Sequence, residues 1–178
     1  ISIWGWNKAW KNIRDMKSDN PLELAGTALA VGDVDVDGKT DLVYASTPLD
    51  ESWNYLPGKV SVMLDLCSKY GNLKADASIQ ADVEGTNFGS SVHVVSLDGS
   101  ASAEIVVVDN LGGNAVNGAP TGSIHFYKLV DGALVESRPA LTGDAGASIE
   151  SVAFSDIDGD GDLDLIVGQP MYNTTKKR

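Results

Sequence analysis

Two short stretches of the chain carry aspartates at the same fixed spacing. In DVDVDGKTD (residues 33–41) and DIDGDGDLD (residues 156–164), aspartate occupies positions 1, 3, 5 and 9, and glycine occupies position 6. Carboxylates two residues apart on a tightly turned chain can converge on one point, and glycine allows the positive φ that such a turn needs. A hard cation with roughly 6–8 oxygen ligands, Ca²⁺, suits such a cluster. One such stretch alone could be an acidic turn, but the repeated register favours calcium.

The EF-hand loop begins in the same way, but it runs for 12 residues and ends in a bidentate glutamate between two helices. Position 12 is Tyr44 after the first stretch and Val167 after the second, so that ligand is missing. The flanking segments, such as LVYAS (residues 42–46) and LIVGQP (residues 165–170), are short apolar runs typical of buried strands. Each aspartate loop is therefore predicted to close a β-hairpin, which excludes an EF-hand.

A weaker third copy of the loop lies between the other two. Ser96, Asp98, Ser100 and Glu104 fall on its positions 1, 3, 5 and 9. The three loops begin at residues 33, 96 and 156, and this spacing of 63 and then 60 residues is typical of a solenoid or a propeller. Two further strand-like segments follow each of the first two hairpins. Four strands per repeat predict an all-β protein built from antiparallel β-propeller blades.

These motifs resemble the FG-GAP repeat of the integrin α-subunit propeller. The resemblance rests on Phe88-Gly89-x-Ser91-Val92, on the two aspartate loops and on Gly168-Gln169-Pro170, and it covers roughly residues 25–170. It implies calcium sites between the first two strands of a blade, with the backbone carbonyls of Lys39 and Asp162 at position 7. The side-chain ligands that it implies are Asp33, Asp35, Asp37, Asp41, Asp156, Asp158, Asp160 and Asp164.

The middle loop departs from the family pattern. It has serine at positions 1 and 5, and Ala101 replaces the glycine at position 6. We therefore expect two calcium ions in this chain, and we expect hydrogen bonds rather than a cation to close the middle turn.

The repeats divide residues 1–178 into parts of a propeller. Residues 1–24 are predicted to end a preceding blade, residues 25–87 and 88–147 to form two repeats, and residues 148–178 to begin a third. The first residues match a third strand and have no evident fourth strand, because residues 6–16 could form either a short helix or a connection between strands. About three blade-equivalents are fewer than the roughly 4–8 of a closed ring. We therefore expect an about seven-bladed propeller, completed by the same parent protein or by another chain.

Bulk properties restrict the compartment and the partners. The formal net charge of −12 argues against binding to nucleic acid or to an anionic membrane surface. No apolar run approaches the roughly 18 residues of a membrane span, so we expect no direct membrane insertion. Calcium loops of modest affinity are filled where calcium is millimolar, which favours an extracellular or cell-surface protein of the secretory pathway. Asn173-Thr174-Thr175 is a possible glycosylation acceptor in that compartment.

Residues outside the loops give little indication of catalysis. His93 and His125 lie in alternating strand-like segments, where packing explains them, and the single Cys67 is predicted to be a buried small hydrophobe. Phosphate-loop, zinc-protease and nucleophile-elbow motifs are absent from the sequence. Most of the four tryptophans are predicted to lie between blades, with Trp53 and Tyr55 exposed in a connection between strands.

These features predict a non-catalytic, calcium-binding extracellular propeller segment that recognises a protein or glycan ligand, as in cell adhesion. Two alternatives stay open. One is the propeller portion of a secreted or surface enzyme that resembles glycosylphosphatidylinositol-specific phospholipase D, with its catalytic domain outside this chain. The other is a sugar-binding lectin. The fold does not choose among the three, because function depends on the residues that the fold presents.

Overall fold

The computed structural model describes residues 1–18, 20–69, 71–82, 86–111, 121–144 and 146–170. All regular secondary structure in these residues is β-strand, which confirms the predicted all-β fold. The strands are β1 (Ser2–Trp6), β2 (Trp10–Asp15), β3 (Glu23–Gly32), β4 (Asp41–Pro48), β5 (Lys59–Met63), β6 (Ala77–Gln80), β7 (Phe88–Val95), β8 (Glu104–Asp109), β9 (Ser123–Val130), β10 (Ala133–Thr142), β11 (Ser151–Ser155) and β12 (Asp164–Gly168).

Two complete sheets of four antiparallel strands form the centre of the described structure. The first sheet has the order β3–β4–β5–β6 and the second has the order β7–β8–β9–β10, so neighbours in sequence are neighbours in space. Tyr44 of β4 lies opposite Ser61 of β5, and Val107 of β8 lies opposite His125 of β9. A meander of four antiparallel strands is the unit of a β-propeller. The predicted blade architecture is therefore confirmed.

The loops that carry the repeated pattern each join two antiparallel strands. Gly32 at the end of β3 pairs with Asp41 at the start of β4. Ser155 at the end of β11 pairs with Asp164 at the start of β12. Both aspartate loops therefore close β-hairpins, as the flanking strand-like runs predict.

The N-terminal residues form a hairpin, which corrects two expectations. β1 and β2 pair antiparallel with Trp6 opposite Trp10, so residues 10–15 form a strand rather than a helix. The rings of Trp6 and Trp10 lie 5.3 Å apart across this hairpin, a contact that the four-residue spacing of a helix would also give. β2 also gives β1 a paired neighbour, which the sequence did not indicate.

Side chains of each central strand point alternately to the two faces of its sheet, so each sheet contributes to two cores. On β4, Val43 and Ala45 pack between the two complete sheets, whereas Leu42 and Tyr44 pack towards the β1–β2 hairpin. β8 repeats this division, because its alternate side chains pack either against the first sheet or against the β11–β12 hairpin. The two hairpins therefore flank the pair of complete sheets, and the order of the layers follows the chain.

Apolar side chains are exposed at the outer face of β1–β2. Trp4, Trp6 and Trp10 are 55%, 64% and 66% exposed, and Trp53 is 71% exposed. The prediction that most tryptophans are buried between blades is therefore wrong for the structure described here. Trp4 and Trp6 alternate along β1 with Ile3, which packs towards the first sheet, so they point to the opposite side. The predicted exposure of Trp53 and Tyr55 is correct.

The cysteine is also placed differently from its prediction. β5 ends at Met63, and Asp65 adopts a left-handed φ of 54°, so the chain turns before it reaches Cys67. Cys67 is exposed in that turn. The apolar run that suggested a buried strand therefore ends earlier than the sequence indicates.

No helix in the described residues is long and apolar enough to cross a membrane.

Candidate metal-binding loops

Loop 1 (residues 33–41) brings three carboxylates together. Oxygen atoms of Asp33, Asp35 and Asp37 lie within 4.8 Å of one another. The Asp33 carboxylate accepts hydrogen bonds from the backbone N–H groups of Asp37 (3.1 Å) and Gly38 (2.8 Å). These bonds fold the loop around its first aspartate, so that the next two carboxylates project to the same place.

Loop 3 (residues 156–164) is also folded around its first aspartate. Asp156 accepts bonds from the N–H groups of Gly159 (2.7 Å) and Gly161 (3.1 Å). Oxygen atoms of Asp156, Asp158 and Asp164 lie within 4.8 Å of one another. In both loops the N–H at position 6 donates to the aspartate at position 1, but the second donor is at position 5 in loop 1 and at position 4 in loop 3.

Position 9 has a structural role that spacing alone does not reveal. Asp41 is fully buried, and its two oxygens accept bonds from the N–H groups of Val34 (2.8 Å) and Asp65 (2.8 Å). The equivalent Asp164 accepts a bond from the N–H of Ile157 (2.9 Å). The aspartate at position 9 therefore joins the beginning of its loop to the following strand. Asp41 and Asp160 are the predicted ligands that lie outside the two groups of three converging carboxylates.

The backbone needs left-handed conformations at two positions of each aspartate loop. Position 6 has φ of 82° at Gly38 and 98° at Gly161, as the glycines predict. Position 4 is also left-handed, with φ of 63° at Val36 and 81° at Gly159. A β-branched residue such as Val36 is rarely found there. The hydrogen bonds to Asp33 hold this strained conformation in place, and the only hint of it in the sequence is Gly159.

Lys39 makes the electrostatics of loop 1 different from those of loop 3. Its Nζ lies 2.7 Å from an oxygen of Asp37 and 3.4 Å from one of Asp65. The side-chain and backbone hydrogen bonds that Lys39 donates to Asp37 lower the pKa of Asp37. Asp35 has the opposite shift. Desolvation in the cluster raises its pKa, and the negative charges of Asp37, Asp41 and Asp33 add to the increase. Loop 3 has Asp162 where loop 1 has Lys39, so this internal cation is absent there.

Loop 2 (residues 96–104) closes without a carboxylate cluster. Ser96 Oγ donates to the carbonyl of Ser100 (2.6 Å), and the N–H of Ser100 donates to Asp98 (3.1 Å). The bonds from Ser100 hold the pKa of Asp98 below its usual range, and Lys128, whose Nζ lies 3.8 Å from Asp98, adds to this effect. Hydrogen bonds therefore form this turn.

Glu104, at position 9 of loop 2, pairs with side chains of β10. Its carboxylate is 1% exposed and accepts bonds from Arg138 Nε (3.0 Å), Arg138 Nη2 (2.7 Å) and Ser137 Oγ (2.7 Å). A bidentate pair of this kind neutralises the buried charge. Nothing in the local sequence indicates this pair, because its two members lie on strands that do not adjoin.

The donor groups of loops 1 and 3 fit calcium. Clustered carboxylate oxygens are the hard ligands that Ca²⁺ prefers, and a backbone carbonyl at position 7 would extend the set. Loops 2 and 3 also lie side by side, because the N–H of Leu163 donates to the carbonyl of Leu97 (2.9 Å). Loop 1 joins β3 to β4 and loop 3 joins β11 to β12, so each candidate site lies at the closed end of its hairpin.

Four-stranded antiparallel blades stacked in chain order make this chain a segment of a β-propeller. The sequence model of the FG-GAP repeat matches residues 25–63 and 148–177, the stretches that contain loops 1 and 3. Integrin alpha-2 of Mus musculus is 29% identical over 125 residues, which are 63% of this chain and 10% of that protein. These similarities support the predicted FG-GAP, integrin α-like repeat, and the chain spans about a tenth of the length of that curated relative.

Proposed function

We propose that this chain is a calcium-binding, non-catalytic segment of an extracellular propeller that recognises a protein or glycan ligand in cell adhesion. The observation that carries the proposal is the pair of matched loops, in which three carboxylates converge on one point. Both loops lie in the stretches that match the FG-GAP repeat. The proposed side-chain ligands are Asp33, Asp35, Asp37, Asp41, Asp156, Asp158, Asp160 and Asp164, and the carbonyls of Lys39 and Asp162 would join them.

Calcium would serve structure rather than chemistry in these loops. The clustered carboxylates repel one another, and a divalent cation offsets that repulsion. Asp33 and Asp156 already fix the turn through backbone hydrogen bonds, so the ligands are largely arranged before an ion binds. Loop 2 would bind no calcium, because Arg138 already pairs with Glu104 and because positions 1 and 5 of the loop are serines.

The apolar surface beside the N-terminal hairpin supports association with further blades. Leu29 and Val31 of β3 are 48% and 58% exposed, although their cross-strand partners Tyr44 and Leu42 are buried. Each blade of a propeller covers the apolar face of its neighbour. We propose that additional strands, from the parent protein or from another chain, cover these side chains.

An extracellular location is supported by the likeness to integrin alpha-2 and by the millimolar calcium that such loops need. Glycosylation of Asn173 stays a prediction, because that residue lies outside the described residues. Trp53 and Tyr55 are 71% and 73% exposed on a turn that Asp50 holds by accepting bonds from the N–H groups of Ser52 and Asn54. A rigid, exposed aromatic pair suits contact with a protein or a sugar, so we propose it as part of the recognition surface.

Calcium stoichiometry tests the proposal directly. Isothermal titration of the chain should give two sites. Asp35→Ala and Asp158→Ala should each remove one site, and the matched variant Asp98→Ala, at the same position of loop 2, should remove none. Three equivalent sites in the unsubstituted chain, or the loss of a site in Asp98→Ala, would contradict the assignment of loop 2. An absence of binding would contradict the proposal as a whole.

A further inference from the structure

A short turn after β5, residues 65–69, lies between loop 1 and the N-terminal hairpin β1–β2. Asp65 begins this turn in a left-handed conformation, with φ of 54°. Ser68 closes it, because both its N–H and its Oγ donate to the carbonyl of Asp65 at 3.0 Å. A residue other than glycine keeps such a backbone conformation only when its surroundings hold it. The contacts on the two sides of the 65–69 turn are therefore informative.

On one side the 65–69 turn is bonded to loop 1. The N–H of Asp65 donates to one oxygen of the Asp41 carboxylate (2.8 Å), and the N–H of Leu66 donates to the carbonyl of Thr40 (2.9 Å). The other oxygen of Asp41 accepts the N–H of Val34 (2.8 Å), which is position 2 of loop 1. One fully buried carboxylate thus connects the turn to the beginning of the loop.

On the other side the turn is held by Arg14 of β2. Its Nη1 donates to the carbonyls of Leu66 (2.7 Å) and Lys69, and its Nη2 donates to the carbonyl of Cys67 (3.4 Å). A guanidinium group carries its donors in a rigid plane. Three carbonyl groups of one turn can bond to it together only when the turn has one particular path, so Arg14 fixes that path.

The hairpin that carries Arg14 is attached to the first sheet beside this turn. The N–H of Leu73 donates to the carbonyl of Lys17 (2.8 Å), just after β2. Met16 is buried in the apolar cluster that lies between the hairpin and the first sheet, and Leu66 packs against the same cluster. The path of the turn and the attachment of the hairpin therefore depend on each other.

Loop 3 has different neighbours. Its Asp164 accepts a bond from the N–H of Ile157 (2.9 Å), and the N–H of Leu163 donates to the carbonyl of Leu97 in loop 2 (2.9 Å). Hairpins β1–β2 and β11–β12 lie on opposite sides of the two complete sheets. Loop 3 is thus a matched aspartate loop on the far side of the sheets from Arg14.

We propose that Arg14 is a positioning residue of the calcium site in loop 1, and that the ion bound there fastens the N-terminal hairpin to the first sheet. This inference rests on the proposed calcium binding. Arg14 orders the 65–69 turn, the turn orders Asp41 and Thr40, and Asp41 orders the start of the loop. A segment that is already ordered makes it less costly to order the next one. Coupling between binding events is reciprocal, so the ion should in turn order the hairpin.

Calorimetric titration with Ca²⁺ tests the first half of the proposal. In the Asp158→Ala background, where loop 1 is the remaining site, Arg14→Met should weaken calcium binding about fivefold. Loss of a positive charge would by itself strengthen the binding of a cation, so the expected effect has the opposite sign to simple electrostatics. Lys11→Met removes the same charge from an exposed position of the same strand and should not weaken binding. In the Asp35→Ala background, which leaves loop 3, Arg14→Met should not change the affinity.

Amide hydrogen exchange tests the second half without substituting Arg14. In the unsubstituted chain, calcium should slow the exchange of the Leu66 and Leu73 amides about fivefold relative to chelator, because these amides report the turn and the attachment of the hairpin. Asp158→Ala should retain this effect of calcium, since it spares loop 1. Asp35→Ala should abolish it, although Asp35 lies outside the turn and the hairpin.

The outcomes separate this proposal from the one on which it rests. An absence of calcium binding would overturn both. Binding at loop 1 with the same exchange rates in calcium and in chelator would overturn the coupling alone, as would equal affinities in Arg14→Met and its parent. Equal weakening at loops 1 and 3 would show that Arg14 contributes only to general stability, and it would also overturn the positioning role.

Discussion

Loops 1 and 3 can be compared with loop 2, because each of the three spans nine residues, of which the ninth is the first residue of the following strand. Loops 1 and 3 gather three carboxylates within 4.8 Å. Loop 2 has serines at two of the same positions, and its acidic residues turn away to Lys128 and Arg138. The backbone performs the same reversal in each case, but the negative charge is balanced by different means.

The difference shows that the acidic groups of this hairpin need something to balance their charge, but that different groups can do so. In loop 2 the balancing group is part of the protein: serine hydroxyls close the turn, and an arginine from β10 neutralises Glu104. In loops 1 and 3 we propose that it is an ion taken from the solvent. Loop 2 should therefore be insensitive to calcium, whereas the other two should depend on it.

Chelation should have the largest effect. Each site stabilises the folded state by about 2.7 kcal/mol when free calcium is 100 times its Kd, so removal of both ions should lower Tm on the order of 10 °C. Thermal melts with and without chelator measure this. The double variant Asp35→Ala, Asp158→Ala is the control, and its melt should not respond to the chelator. If the unsubstituted chain melts at the same temperature with and without chelator, calcium does not stabilise loops 1 and 3.

Arg138→Met should be the most damaging single change at loop 2. It leaves the buried carboxylate of Glu104 without its charged partner, which should cost about 3 kcal/mol in the free energy of unfolding. Urea unfolding should show the same loss with calcium and with chelator.

The double variant Glu104→Leu, Arg138→Met provides the matched control. It replaces the ion pair by apolar side chains and should recover most of the stability lost in Arg138→Met. A loss that changes with calcium would mean that loop 2 is not independent of the ion.

Exchanging the residues at position 7 should have a smaller effect, of opposite sign in the two outer loops. Lys39→Asp removes the cation beside Asp37 and should strengthen calcium binding to loop 1 about fivefold, whereas Asp162→Lys should weaken loop 3 by a similar factor. Titration calorimetry measures both affinities. Because the effect is one of charge, it should shrink in 1 M salt. Equal affinities in the variants and the parent would show that position 7 acts only through its carbonyl.

The smallest difference concerns position 3 in the calcium-free protein. Desolvation and neighbouring carboxylates raise the pKa of Asp35, whereas bonds from Ser100 lower the pKa of Asp98. Asp35 therefore stabilises the fold most below its unfolded pKa, and that contribution disappears as pH rises through its folded pKa. The contribution of Asp98 is present above its unfolded pKa and disappears as pH falls through its folded pKa.

Carboxyl NMR titration in the presence of chelator can distinguish the two residues. Asp35 should titrate above an ordinary aspartate and Asp98 below it. A lower pKa for Asp35 than for Asp98 would mean that the cluster of loop 1 is more open to water than its geometry indicates.

Several features were predictable because their causes are local. Alternating apolar residues beside an Asp- and Gly-rich turn specify a β-hairpin wherever the segment lies, so the strands around loops 1 and 3 follow from the sequence. The register of the aspartates indicated where acidic groups cluster, but not that positions 1, 3 and 5 converge in loop 1 whereas positions 1, 3 and 9 converge in loop 3. The helical alternative for residues 6–16 was wrong because Trp6 and Trp10 are also suitably spaced to face each other across a tight hairpin.

What the sequence by itself determined is therefore the repeat, the β-strands and the positions of the clustered acidic groups, since each depends on residues near one another in the chain. The tertiary structure alone decided which groups balance those charges. The Asp41 carboxylate accepts a hydrogen bond from the N–H of Asp65, and the Glu104 carboxylate pairs with Arg138, which lies on a strand that does not adjoin that of Glu104. It also decided that Cys67 and three N-terminal tryptophans are exposed. The burial and pairing of these groups depend on how the sheets pack against one another, and the spacing of residues within one segment does not determine that packing.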